Sequence, residues 1–387
     1  MKTYSKIFDH KHPFTIGIEE EYMLCDPDSG ELIPKAEQII NRIPQHLTDR
    51  MSYELIQTEI EVNTKVCKTV NEAIHEIGSL RRIVSDIGKS EGFRIGVSGT
   101  HPTARPLDQK FVPVHGYQWV AEQLGYYAKR NITFATHVHV AVPDASSAIS
   151  ILNALRRWIA PLLALSTNSP FFEGVQTGVL SSRCFQFGTF PRTNIPATFK
   201  SYEEYETLVN RLIDIGSIEK PRQIWWKIRP SMDFGTIEFR MFDIQRSLER
   251  TKLITALSQA LVYQAYQDSL SGTLIEDLPM EYLDDGLWKA IRFRFDSKIV
   301  DPVKFDTITM RDFILRLFDY VTPALNHFWN HEILQVGHQI LQNGSEADEQ
   351  IRIFNQKGMP ALLKFLMDSI EFGKKKPAFK DGNGVNE

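Results

Sequence analysis

The chain has 387 residues, 42% apolar and 24% charged, proportions of an ordinary globular protein that exclude general disorder and fibrous architecture. Its formal net charge of −4, from 44 basic and 48 acidic residues, supplies no broad positive field for a phosphate polymer, so nucleic acid is not an expected partner. Cys25, Cys67 and Cys184 are odd in number and lack CxxC spacing, which implies neither a disulfide framework nor a structural zinc and fits a reducing, cytoplasmic location. Residues Met1 to His12 contain no apolar core of a secretion signal, and the longest apolar stretch, around Trp158 to Leu165, is far shorter than the roughly 20 residues a helix needs to cross a bilayer. Neither a signal peptide nor a membrane segment is expected.

The first predicted element is a strand, Phe14 to Leu24, closed by the turn sequence Asp26-Pro-Asp-Ser-Gly30. Alternation puts Glu19 and Glu21 on one face and Ile16, Ile18, Tyr22 and Leu24 on the other together with Glu20. Carboxylates two apart along a strand are about 6.5 to 7 Å apart, close enough to serve adjacent cations. A second strand, Glu54 to Asn63, places Gln57, Glu59 and Glu61 together against Ile56, Ile60 and Val62, with Glu54 on the apolar side by parity.

A helix over Val70 to Glu91 follows, then a short apolar strand, Ile95 to Val97, that leads to His101 at a loop edge, a place for substrate, metal or a simple turn cap. The third strand with a chemical face, Ile132 to Val142, aligns His137 with His139 and sets Val138, Val140 and Val142 opposite. Asp144 is a good N-cap for a helix to Ser166, and Asn168-Ser-Pro-Phe stops it. Trp225 and Trp226 read as core or as an adenine platform. The fourth strand, Thr236 to Asp243, carries Glu238 and Arg240 on one face and Ile237, Phe239 and Met241 on the other.

From Leu248 onward the period is helical, with helices expected over Leu248 to Ser269, Met310 to Gln335 and Ser345 to Phe372. The tail from Gly373 lacks apolar periodicity and reads as disordered over 373–387. No repeat period is present, so 1–372 reads as one domain of the α+β class, with an α/β part over about 13–250 and a helical part over 251–372. One charged strand face is usually just solvated. Four strands that carry five acids and two histidines with almost no Lys make a like-charged surface that calls for cations, and hard divalent ions prefer such oxygen ligands.

The runs Gly17-Ile-Glu-Glu-Glu-Tyr, Thr100-His-Pro, Thr136-His-Val-His-Val, Asn168-Ser-Pro-Phe, Trp225-Trp-x-Ile-Arg-Pro-Ser and Thr236-Ile-Glu-Phe-Arg resemble, in order, the type 2 glutamate–cysteine ligases, a group that includes the bacterial carboxylate–amine ligases. The resemblance implies a glutamine-synthetase-like fold, an antiparallel sheet funnel covered by helices, that holds ATP and two or more Mg²⁺ ions. It implies Glu19, Glu21, Glu61, His137 and Glu238 as metal ligands, with Glu54 added if a bulge turns it round. His139 then meets nucleotide phosphate, Arg240 neutralises the transferring phosphoryl group, and Glu19 takes the proton of the amine. Glu59 is left as a neighbour without a role.

Arg183, Arg192 and Arg229, in polar or loop-like settings near strand ends, suit either a surface salt bridge or the grip on a phosphate or substrate carboxylate. The segment Ser181 to Arg192 departs from the family's common pattern, which leaves the amino-acid substrate open. The reaction implied joins a carboxylate such as glutamate to an amine such as cysteine through an acyl phosphate, in a homodimer. Three other readings stay open: a guanidino-kinase-like phosphotransferase, a metal-dependent amidohydrolase, and a regulatory relative that binds nucleotide without turnover.

Overall fold

The computed structural model describes residues 4–373. Its centre is a seven-stranded antiparallel sheet built from β1 (Ile16–Cys25), β2 (Met51–Tyr53), β3 (Glu59–Asn63), β4 (Arg94–Gly96), β5 (Thr136–Ala141), β8 (Ile228–Ser231) and β9 (Thr236–Phe239). Two hairpins stand apart from it: β6 (Phe171–Phe172) with β7 (Val175–Gln176), and β10 (Lys298–Val300) with β11 (Thr307–Thr309). The sheet order is β2-β3-β1-β5-β9-β8, and β4 pairs with the last residues of β1 where β5 has left it. This is the α+β arrangement of antiparallel sheet and helices read from the sequence.

Helices cover one face because the alternation of β1 and β5 turns Ile16, Ile18, Leu24, Val138 and Val140 that way, and all five are buried in one core cluster. The helix Val70–Glu91 packs on β1, and Leu248–Ser271 packs on β5. Thr69 caps the first by accepting from the Glu72 N–H at 3.1 Å, and Gly92, at φ 73°, ends it in the left-handed conformation that glycine tolerates. Glu20 faces this core, as parity required. Its carboxylate is bound by Arg81 at 2.6 and 2.8 Å and by the Tyr22 hydroxyl at 2.6 Å, so a buried ion pair pins the Val70–Glu91 helix to β1.

Several boundaries differ from those expected. The run from Glu54 is not one strand: β2 ends at Tyr53, residues 54–58 turn, and β3 starts at Glu59. Arg229, expected in a loop-like setting, lies within β8, a strand the sequence hid because Arg229-Pro230 breaks its apolar alternation. Met310–His327 and Leu334–Asn343 are separate helices, and the helix after Ser345 ends at Asp368 with non-helical geometry at Gly358. The β10–β11 hairpin interrupts the part expected to be almost wholly helical. Of the expected tail only Gly373 falls among the described residues.

The apolar stretch around Trp158 is longer than the sequence reading allowed. Two helices and a short 3-10 turn run on from Ala145 to Ser166, the one stretch among the described residues long and apolar enough to cross a membrane, and 89% of its most apolar window is buried inside the fold.

Candidate active site

The uncovered face of the sheet carries the chemistry, and strand register decides which side chains meet. Glu19 stands opposite His137 on β5, Glu21 opposite Glu61 on β3, His139 opposite Glu238 on β9, and Glu238 opposite Arg229 on β8. Residues directly opposite on an antiparallel pair have Cβ atoms about 5 Å apart. Acids distant in sequence therefore become neighbours.

Two ligand groups result. In the first, Glu19, His139 and Glu238 each present a donor atom within 4.8 Å of the others. The Nδ1 of His139 is hydrogen-bonded to the Thr236 hydroxyl at 2.8 Å, which fixes the ring. Its Nε2 is buried without a hydrogen-bond partner, although Glu19 Oε1 lies 3.3 Å away. In the second group, Glu21, Glu54 and Glu61 meet in the same way. Glu21 accepts from the Ala135 N–H at 2.5 Å, while Ser52 and Asn63 donate to Glu61 at 3.2 and 3.3 Å.

This geometry corrects two site expectations. No bulge brings Glu54 round: it lies outside any strand, at the mouth of the turn that joins β2 to β3, and parity along a strand does not apply to it. The two histidines are also placed differently with respect to these groups. His139, assigned to phosphate, completes the first ligand group, whereas His137, assigned to metal, sits between Glu19 and Glu21 with Nδ1 3.1 Å from one and Nε2 4.0 Å from the other.

Proton affinities follow from the same crowding. Burial would raise the pKa of Glu19, yet His139 and His137 hold it well below the usual carboxylate range. Burial likewise opposes ionisation of Glu238, but Arg229 and Arg240 depress it strongly. In the second group Arg240 acts on Glu54 but does not outweigh burial and the surrounding acids. Burial and the neighbouring acids, Glu21 foremost, push Glu54 up to about 8, and burial with Glu19, Glu54 and Glu21 raises Glu61 well above the ordinary value.

The arginines divide by role. Arg240 lies just past β9, where its backbone N–H reaches the Lys227 carbonyl at 2.7 Å and its guanidinium contacts Glu238. Arg229 braces Glu238 from the other side, with Nε 2.7 Å from Oε2 and Nη1 on the carbonyls of Arg222 and Ile224. Its fork is thus engaged with the protein. Arg183 is buried on the short helix Ser182–Phe187 with Nη1 and Nη2 on the carbonyls of Met241 and Arg240. Arg192 is half-buried, lies over the Trp225 ring and keeps a buried Nε without a partner.

Other singled-out residues are structural. His101 Nδ1 accepts from the Ala104 N–H at 3.1 Å and Nε2 lies 2.9 Å from the Gly30 carbonyl, so it closes a turn. Asn168 donates to the Ile244 carbonyl, and Trp226 packs with Phe199 and Tyr205. Three contributors went unnoticed. Thr236 shares the face of Glu238 two residues on, so alternation contained that signal. Tyr117, whose hydroxyl donates to the Tyr53 carbonyl and whose pKa is raised by burial and by Glu54, had none. Asp243 accepts from Ser169 and Ser181 hydroxyls and the Asn168 N–H, and Gly99 lies so close that a Cβ there would fall 2.6 Å from its Cγ.

Residues 15–366 match the model of glutamate-cysteine ligase family 2. The chain belongs to this family. A relative from Solibacter usitatus, named "Putative glutamate--cysteine ligase 2", is 34% identical over 94% of this chain and 95% of its own length, and one of the same name from Herpetosiphon aurantiacus is 35% identical over 90% and 91%. The fold is shared with the solved glutamate–cysteine ligase from Francisella tularensis in complex with AMP, at TM-score 0.71 and 13% identity, over 96% of this chain and 91% of that one. It is shared also with a bifunctional glutathione synthetase from Pasteurella multocida, at TM-score 0.68 and 14% identity, over 95% of this chain and 53% of the other. Both sheet faces described above fall within the matched family segment, and membership makes this chain ligase-like.

Proposed function

We propose that this family member is an ATP-dependent carboxylate–amine ligase, with the uncovered sheet face as its active site. The observation that carries the reading is the pair of three-residue ligand groups, Glu19/His139/Glu238 and Glu21/Glu54/Glu61, set side by side through Glu19 and Glu21 of one strand and flanked by Arg240.

The residues fit Mg²⁺ bound with a nucleotide. Five of the six donors are carboxylates, the hard oxygen ligands that Mg²⁺ takes, and the His139 Nε2 is buried without a hydrogen-bond partner. When bound, the cations offset phosphate charge and polarise the phosphoryl group. The chain's own residues do the rest. Thr236 holds the His139 ring, Arg229 holds the Glu238 carboxylate, and Arg240 presents a guanidinium toward the transferring phosphoryl. A donor carboxylate takes the γ-phosphoryl group of ATP with release of ADP, and an amine then displaces phosphate to form the amide. Homodimerisation and a cytoplasmic location belong to the same reading.

The test is incubation of the full chain with ATP, Mg²⁺, glutamate and a panel of amines that includes cysteine, following amine-dependent ADP release and product mass. Amide product with stoichiometric ADP is expected. Absence of ADP with every pair overturns the proposal.

A further inference from the structure

The Met280–Arg292 helix is covered on one side only. Leu283, Gly286, Leu287, Ala290 and Ile291 are buried, with the Ile159–Ser166 helix packed on them, while Glu281, Tyr282, Asp285, Trp288 and Arg292 are exposed. Each outward ring has another exposed ring beside it. Phe185 of the Ser182–Phe187 helix lies 6.2 Å from Trp288, and Phe305 of the loop between β10 and β11 lies 6.1 Å from Tyr282, centre to centre. Phe305 sits at φ 58°, a left-handed backbone that costs a bulky residue energy, yet its ring points into solvent.

With Phe293 at the helix end these five rings are 39% to 62% exposed. A wholly buried aromatic side chain hides about 150 to 250 Å², so five half-exposed ones offer on the order of 500 Å². That is at the upper end of the apolar patch on an ordinary monomer, about 300 to 600 Å², and more than half of the roughly 800 Å² each partner gives to a stable interface.

The charges between the rings say what covers them. Glu281, Asp285, Trp288 and Arg292 follow at spacings of four, three and four, so they form one stripe along the helix. Its first end is acidic and its last end basic, about 16 Å apart over eleven residues. Among the described residues Glu281 has no cation and Arg292 no acid within ion-pair distance, whereas Lys289 already pairs with Asp285 of its own helix at 2.7 Å. The helix dipole favours this order of charges, but it does not call for exposed rings around them. A stripe that is negative at one end and positive at the other is complementary to itself when turned end for end.

We infer that this face binds a second copy of the same chain, with the two Met280–Arg292 helices antiparallel across a two-fold axis. Glu281 of each copy then meets Arg292 of the other, and the rings close the flanks, an isologous contact in which one patch serves both partners. The inference deepens the homodimer expectation above and rests on it, not on the ligase chemistry. The same contact supports the site. The Ile291 carbonyl accepts from the Leu180 N–H at 2.7 Å and the Ser181 N–H at 3.4 Å, and Ser181 caps the short helix that carries Arg183 inward and Phe185 outward.

The test is sedimentation equilibrium of the full chain from nanomolar to about 100 μM, a range that spans the affinities of ordinary stable interfaces. Wild type should reach twice the chain mass. Trp288→Arg should raise the dimer dissociation constant by about 30-fold or more, as loss of a central aromatic anchor does. Glu281→Arg and Arg292→Glu should each raise it by about tenfold, because like charges then face each other. The double variant Glu281→Arg/Arg292→Glu restores opposite charges in every pair and should return to within about threefold of wild type.

A wild type that stays monomeric throughout overturns both this interface and the homodimer expectation, and leaves the ligase reading standing. A dimer that Trp288→Arg leaves intact overturns this interface alone. Failure of the double variant to recover overturns the antiparallel pairing. Circular dichroism checks that each variant is folded, and if Trp288→Arg is not, the charge variants at exposed positions decide. Sedimentation does not depend on turnover, so a chain without ligase activity leaves these outcomes readable.

Discussion

Glu238 shows how much one side chain on this face carries. It is 1% exposed, shared between Arg229 and Arg240, and part of the first ligand group. Glu238→Gln keeps its shape but strands two buried guanidiniums, a change of the kind that costs about 3 to 5 kcal/mol. Urea unfolding of the metal-free variant should show that loss, and Mg²⁺ affinity should drop by roughly tenfold or more. Unchanged turnover in the variant would remove Glu238 from the site.

Glu54 acts in the opposite sense. Its pKa in the folded chain, about 8, lies far above that of an unfolded glutamate, about 4.3, so the native state binds more protons between those values. Stability must then fall as pH rises from about 5 to 8, since it rises with pH only where the unfolded state is the more protonated. Glu61, also raised, adds in the same direction. Thermal unfolding in chelator across this range should show a falling Tm, and Glu54→Gln should flatten the slope.

At the scale of elements, the buried knot under β1 holds layers together. Arg81 on the Val70–Glu91 helix bonds Glu20 and also the carbonyls of Gln245 at 2.8 Å and Arg246 at 2.9 Å, just before the Leu248–Ser271 helix. One guanidinium therefore ties two helices to the central strand. Arg81→Met should destabilise by about 3 to 5 kcal/mol in denaturant unfolding, because Glu20 is left charged and buried. Glycine at 337 serves a different need. A Cβ there would lie 2.4 Å from the Phe318 ring, so Leu334–Asn343 can approach Met310–His327 only without a side chain at that position. Gly337→Ala should cost about 1 to 3 kcal/mol by overpacking, read in the same unfolding experiment, with little effect on the site.

Across the whole molecule, the helices cover an apolar face while the opposite face gathers like charges in a buried setting. Such a surface works against the folded state until cations arrive. Mg²⁺ should therefore raise Tm, and by linkage the gain in unfolding free energy should grow with free Mg²⁺ above its dissociation constant, reaching about 2.7 kcal/mol at 100 times that constant. The effect should be larger at pH 8 than at pH 5, where a proton already occupies Glu54. A Tm that ignores Mg²⁺ at pH 8 would count against both ligand groups.

Much of this was already in the chain, and the reason is that strand alternation and helix periodicity are local. Period two alone placed Glu19 and Glu21 together, put Glu20 in the core, aligned His137 with His139, and joined Glu238 to Arg240. Capping residues likewise marked the starts at Ala145 and Glu346. Cross-strand register is not local. Only the tertiary structure decided that Glu19 has both histidines beside it while His139 alone of the two groups with Glu238, that the turn over 54–58 carries Glu54 to Glu21 and Glu61, and that Arg229 braces Glu238 from a strand with no alternation to betray it. Pairing between strands more than a hundred residues apart depends on how helices and turns return the chain to the sheet. No window of sequence contains that information.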